Sequence, residues 1–310
     1  MSTLTHSIAP VARRIRAYFA PVNRATGTPT LFDAAQNGRF ALDVPPAPWI
    51  DLGWCENFRR SNNGAKNGIV ALRTGAPSFT ATQVRTEFEA AVQIEFTCWG
   101  KLQMALTCGS QQMNLLASNG SAPVAVPVQP GSTASSLLIG AAAPQFSVGD
   151  LVVVDLDYTG QTGYLGSGIS GAYLLNSAEV NGDVNYIRRI SLNVGRIASI
   201  QNGTLALESS LLAGDPVAGM QVSRLAGFVD REGSSFFQEW SALFVHEGEQ
   251  GDRVIYHYPR LQTMQSAAET METIAAPLER IKLAGAFRAL PVIDSSDGER
   301  ALCFRSYLPA

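Results

Sequence analysis

The chain has 310 residues, 46% of them hydrophobic, which is enough to build a substantial core in one large or two smaller domains. Only 16% are charged and the formal net charge is −3, which argues against non-specific nucleic-acid binding, because neutralising phosphates requires clustered Lys and Arg. With charge this sparse and Gly, Pro, Ser, Thr and Asn abundant, much of the surface is expected to be neutral polar or covered by something else, which favours assembly over a free monomer.

The opening stretch, MSTLTHSIAPVARRIRAYFAPVNR, carries Arg13, Arg14, Arg16 and Arg24 before the first acid, Asp33. It lacks the apolar centre of a secretory signal. Its bias also fits an organelle transit peptide, but a basic arm docking on a neighbouring subunit is the preferred reading. No apolar run is long enough to cross a bilayer as a helix, so cytoplasmic synthesis and no membrane partner are expected. Residues 1–80 are dominated by breakers (PVNRATGTPTLFD, LDVPPAPW, RRSNNGAKNG) and predict an extended arm with short strands, held down by another copy of the chain.

RTEFEAAVQIEF comes next and alternates Phe88, Ala90, Val92, Ile94 and Phe96 with Glu87, Glu89, Ala91, Gln93 and Glu95. Period two predicts a long strand with one buried face and one wet, acidic face. In CWGKLQMALTCG, Trp99, Leu102 and Leu106 fall at helical spacing before Gly109, predicting a short helix packed on the sheet. SNGSAPVAVPVQPGSTASS then reads as a linker or long loop. Beyond it FSVGDLVVVDLDY, VNYIRRISLNVGRIASI and NGTLALESSL read as short strands between Gly and Asn-Gly turns. Long strands return in FFQEWSALFVHE and DRVIYHYPRLQTM, which flank GEQG as a hairpin. LERIKLAGAFRALPV alternates Ile281, Leu283, Phe287 and Ala289 against Arg280, Lys282 and Arg288, and RALCFRSYL supplies a last strand. SAAETMETIAAP, between them, is expected to be a short helix or a loop. The fold expectation is mainly β: a sandwich or barrel with long strands and a short flanking helix, plus an inserted small all-β domain. The expected divisions are an arm at 1–80, a main β domain at 81–144 and 229–310, and an insert at 145–228.

Chemical motifs are weak. Gly166, Gly168 and Gly171 have the G-x-G-x-x-G spacing, but no strand leads directly into them and no helix follows directly, so the pyrophosphate-binding arrangement is missing and a loop is expected. Ser241 and His257, on the two arms of the hairpin with Glu239 nearby, invite a nucleophile–base reading. Yet a nucleophilic Ser is normally presented on a sharp turn, and a small polar residue in a sheet is preferred. Asp155 and Asp157 could hold a metal or line a solvated loop entrance, the latter being preferred. Cys55, Cys98, Cys108 and Cys303 form no C-x-x-C pair and are read as reduced, mostly buried thiols. Tyr158, Tyr164, Tyr173 and Tyr186 are the one feature favouring sugar binding, against ordinary packing in the insert. No catalytic residue, cofactor or metal is expected.

Taken with PVNRATGTPTLFD, WIDLGWCENF, RTEFEAAVQIEFTCWGKLQMALTCGSQQMNLL, FSVGDLVVVDLDYTGQTG and the closing FFQEWSALFV, RVIYHYPRLQ and LERIKLAGAFRALPVIDSSDGERALCFRSYLP, the organisation resembles that of bacteriophage major tail tube proteins. The resemblance implies hexameric rings stacked head to tail into a hollow tube that conducts DNA without binding it specifically. The partners would be other copies and other tail proteins, and the location the tail of a virion assembled in a bacterial host. On that reading Glu87, Glu89, Gln93 and Glu95 face the lumen and mildly repel phosphate. The competing reading pairs the glutamates across strands with Arg280, Lys282 and Arg288, leaving the face nearly neutral. A baseplate hub, a tail-completion ring and a carbohydrate-binding β module are the alternative functions.

Overall fold

The structure, a computed structural model, describes residues 12–22, 28–61, 69–85, 88–108, 111–116, 125–156, 193–212, 214–231, 239–264 and 269–310. In chain order the elements are β1 (Ala12–Pro21), α1 (Ala34–Asn37), β2 (Ile50–Ser61), β3 (Ile69–Thr74), β4 (Phe79–Arg85), β5 (Ala91–Phe96), α2 (Lys101–Cys108), β6 (Gln111–Leu116), β7 (Ala125–Pro127), β8 (Ser136–Leu138), a 3-10 turn (Gly140–Gln145), β9 (Leu151–Leu156), β10 (Val194–Gln201), β11 (Thr204–Leu207) and β12 (Met220–Arg231). They continue as β13 (Glu239–Gly248), β14 (Arg253–Thr263), β15 (Thr270–Ala275), β16 (Leu278–Ala289), β17 (Val292–Ile293), β18 (Arg300–Ala301) and β19 (Phe304–Leu308). The fold is mainly β, as the periodicities predict. The chain divides into two compact units, residues 1–109 with 237–310, and residues 110–236.

The first unit is built on one antiparallel sheet, β15-β16-β5-β2-β1-β13-β14-β19, in which β14 also pairs with β16. That extra ladder, Leu261 opposite Ala289 through Thr263 opposite Phe287, closes β1, β2, β5, β16, β14 and β13 into a six-stranded barrel. Closure removes the free edges of those strands and gives alternate residues an enclosed interior. Phe19 sits at the centre, its ring 5.5 Å from Phe287, 6.0 Å from Phe244 and 6.4 Å from Trp240. Val92, Ile94 and Phe96 are buried. Gly285 makes room for this packing: a Cβ there would fall 2.8 Å from the Phe287 ring and 3.4 Å from Phe96.

Residues 1–80 contribute more than an arm. β1 and β2 occupy central positions of the sheet, since Arg-rich RRIRAYFA and WIDLGWCENF supply alternating side chains that the breakers around them obscure. The segment after β1 straps the barrel's outer side, where Phe32, Phe40 and Leu42 pack on Tyr18, Trp49, Leu243, Val245 and Ile255. Asp33 caps α1 by accepting from the Ala35 and Gln36 amides.

Three local expectations change. The strand expected across RTEFEAAVQIEF starts only at Ala91, and Phe88 is exposed. Its partner β16 ends there: after Ala289 donates to the Ala90 carbonyl, Leu290 turns to bond Arg260. SAAETMETIAAP, read as helix or loop, contains β15 at 270–275, because Thr270, Met271, Glu272 and Thr273 find a ladder partner in the first half of β16. The expected helix does form as α2, with Leu102, Ala105 and Leu106 buried, but Trp99 precedes it and is exposed.

The second unit is a sheet in the order β6-β12-β9-β10-β11-β8, with β7 also on β12. Its core gathers Leu137, Ile139, Val152, Val154, Ile197, Leu205 and Val222. It starts at residue 110, not 145, because the Pro- and Ser-rich stretch read as a linker supplies β7 and β8 to this sheet. At the β10–β11 turn Asn202 and Gly203 both have positive φ, and a Cβ on Gly203 would sit 2.8 Å from the Gly140 Cα, which only glycine avoids.

Replacing Phe19 with Ala empties the centre of the barrel, and the expected loss of unfolding free energy is about 3–5 kcal/mol. Urea titration followed by tryptophan fluorescence checks this, with Phe19→Leu expected to lose much less.

Candidate functional site

The catalytic reading of the β13–β14 hairpin dissolves at the level of hydrogen bonds. Ser241 is fully buried; its Oγ accepts from the Thr30 amide at 2.9 Å and donates to the Pro259 carbonyl at 2.7 Å. His257 faces Leu243, not Ser241, across the ladder, and its Nε2 lies 3.3 Å from the Thr30 carbonyl. Glu239 is ion-paired with Arg260. Ser241 and His257 therefore grip one residue of the strap from both of its peptide groups. Arg253 grips it again, donating to the Gly38 and Phe40 carbonyls at 3.0 and 2.8 Å and to Glu247 at 2.8 Å. Burial among Trp49, Phe32 and Phe304 holds the His257 imidazole down at about 4.

Asp155 is buried and accepts from the Asn193 side chain at 2.9 Å; Asp157 lies outside the described residues. The Gly166, Gly168, Gly171 triplet and Tyr158, Tyr164, Tyr173 and Tyr186 lie outside them too. Among the described residues no group of three or more His, Cys, Asp or Glu is placed to hold a metal. The Cys55 thiol is buried and its pKa is pushed up by that burial, whereas Cys98 is exposed.

What the first unit does present is a charged outer face and two exposed ribbons. Because Val92, Ile94 and Phe96 fill the barrel, Gln93 and Glu95 point out of it. Gln93 and Glu89 are exposed, and Glu87 lies outside the described residues. Across β5 and β16, Lys282 is nearly enclosed by three carboxylates: Glu56 at 2.7 Å, Glu272 at 3.0 Å and Glu95 at 3.3 Å. Arg280 adds contacts to Glu272 at 2.6 Å and Glu56 at 3.1 Å. Three carboxylates against two cations leave one net negative charge. Glu95 thus has the cross-strand partner of the competing reading, Lys282. Glu56 and Glu272, which join β2 and β15 to the cluster, carry no periodic signal that would single them out in the sequence. Hydrogen bonds from Lys282 hold both carboxyls below the usual glutamate range, and the same carboxylates, Glu56 first, raise the lysine.

The ribbons are β3–β4 and β15 with the first half of β16. In the first, Val70 and Leu72 share a face with Phe79, which lies opposite Thr74; all three are exposed. In the second, Met271 lies opposite Ile281, both exposed, and the Trp99 indole N–H donates to the Ile281 carbonyl at 3.1 Å. No protein-family model and no curated protein matches the chain.

Substituting Lys282 with Met leaves three carboxylates together without their central cation. Amide exchange across 270–282 is expected to accelerate roughly threefold to tenfold while β1 and β13 keep their protection. Uniform acceleration would show that Lys282 serves the barrel as a whole. In the unaltered chain the lowered glutamates contribute above the ordinary carboxylate value of about 4.3, and ribbon protection is lost as pH falls through their folded values.

His257 has a second pH consequence. Its folded value, about 4, lies below the ordinary 6.5, so the unfolded chain binds the extra proton and stability falls as pH drops from 6.5 towards 4, by about 3 kcal/mol at most. Urea unfolding at pH 7, 5.5 and 4.5 reads this out, and His257→Phe is expected to remove its share of the slope while His246, which burial also holds at about 4, keeps the rest.

Proposed function

We propose that the chain is a structural subunit of a phage-type tail tube, in which hexameric rings stack head to tail around a channel that conducts DNA. The observation that carries this reading is the pair of ribbons that take no part in the closed ladder and have exposed apolar side chains. A two-stranded ribbon is marginal in water, and open edges carrying exposed Leu, Phe, Met and Ile are surfaces that a monomer normally hides. Contacts between copies give them a partner.

The charged face suits a channel wall. Lys282 and Arg280 offset Glu56, Glu95 and Glu272, so the surface is close to neutral with a slight negative excess, and Gln93 shares the outward face of β5 with Glu95. A strongly basic wall would bind phosphate in every ring and hold DNA fast, whereas this one lets the polymer pass. The reading needs no cofactor, no metal and no catalytic group, and its partners are further copies and other tail proteins.

Negative-stain electron microscopy of the purified protein at increasing concentration tests it. Hollow tubes or stacked rings are expected; a chain that stays monomeric at every concentration, and in the presence of fragments of assembled material, overturns the proposal.

A further inference from the structure

We propose that the 69–85 ribbon of one copy adds edge to edge to the 270–282 ribbon of the next copy, so that the contact building the assembly joins two different surfaces of the same chain. This rests on the self-assembly proposed above and names the surfaces that carry it.

Both ribbons are incomplete in the same way. Among the described residues β3 and β4 pair only with each other, and β15 is the end strand of its sheet with no further strand paired to it. Each ribbon presents apolar side chains: Val70, Leu72 and Phe79 on one, Met271 and Ile281 on the other. Adding one ribbon to the other would pair backbone groups that now face water and bring the two apolar strips side by side.

Charge decides which ribbon meets which. Residues 69–85 contain Arg73 and Arg85 and no acid. Residues 269–282 contain Glu269, Glu272 and Glu279, and their two cations, Arg280 and Lys282, are already held by Glu56, Glu95 and Glu272. Two 69–85 ribbons meeting each other would set arginine against arginine, and two 270–282 ribbons glutamate against glutamate. Only the cross pairing is attractive. A symmetric two-fold dimer is thereby disfavoured. Each head-to-tail contact leaves one ribbon of either kind free at the two ends, so growth continues until a ring closes or a filament forms.

Variants of the full chain test this, one with residues 70–84 and the other with residues 270–280 replaced by a short Gly-Ser linker. Both ribbons lie outside the barrel core, and far-UV circular dichroism checks that each variant folds. By sedimentation velocity the unaltered chain is expected to form oligomers that grow with concentration. Each deletion alone should stay monomeric, and an equimolar mixture should stop at a one-to-one dimer. Charge variants keep the test independent of deletion. R73E with R85E, or E269R with E279R, should weaken association at least tenfold, and all four changes in one chain should restore most of it.

If either deletion variant assembles like the unaltered chain, or the mixture stays monomeric while the unaltered chain assembles, the ribbon contact is overturned. Tubes grown from a ribbon-deleted chain would leave the tube reading standing and remove this one. Dimers in the mixture, with the unaltered chain forming only open oligomers, would support the contact and sink the tube. An unaltered chain that is monomeric throughout overturns both.

Discussion

The short ladder between β14 and β16 is the constraint on which the first unit depends. Residues 261–263 and 287–289 belong to strands that already have other partners, and their pairing turns an open sheet into a barrel. An open sheet would have left Phe19, Phe244, Trp240 and Phe287 on a face in need of a separate cover. Closure makes the sheet its own cover, and edge-to-face aromatic packing fills the interior. The chain that makes it is discontinuous in sequence: the second unit is inserted between β5 with α2 and β13, without interrupting any barrel strand.

Once the barrel exists, its outer side over β1, β13 and β14 is still apolar, and the strap at residues 28–49 covers it. Polar groups within that contact specify where the strap lies. Ser241, His257 and Arg253 are buried, which is costly unless each finds a partner, and the partners they find are backbone groups of Thr30, Gly38 and Phe40. The Tyr18 hydroxyl does the same with the Leu42 carbonyl at 2.7 Å. Residues that look like catalytic candidates in the sequence are thus fasteners.

The ribbons obey the opposite logic. Among the described residues they take no part in the closed ladder, and the Lys282 cluster adds side-chain ties from the second ribbon's base to β2 and β5. Such a cluster keeps a ribbon oriented without satisfying its outer edge or its apolar strip. Holding an unsatisfied surface in place would lower the ordering cost of docking another copy in the proposed assembly.

The sequence by itself determined the strand character and much of the inward and outward facing: Val92, Ile94 and Phe96 against Gln93 and Glu95, and Leu283 and Phe287 against Arg288, follow from period two and hold in the folded chain, whereas Ile281 is exposed and Lys282 is buried among carboxylates. It also determined the β13–β14 hairpin and α2, because their signals are local. Tertiary structure alone decided that residues 12–21 and 50–61 are central strands, that 270–275 is a strand and not a helix, and that the Pro- and Ser-rich stretch joins the second sheet. In each case the outcome depends on a ladder partner distant in sequence, which overrides weak local preference. The same holds for the charged face. The outward acid was legible at Glu95, while Glu89 falls before the strand begins; Glu56 and Glu272 join Lys282 only because β2, β5, β16 and β15 lie side by side, and no spacing along one strand encodes which strands become neighbours.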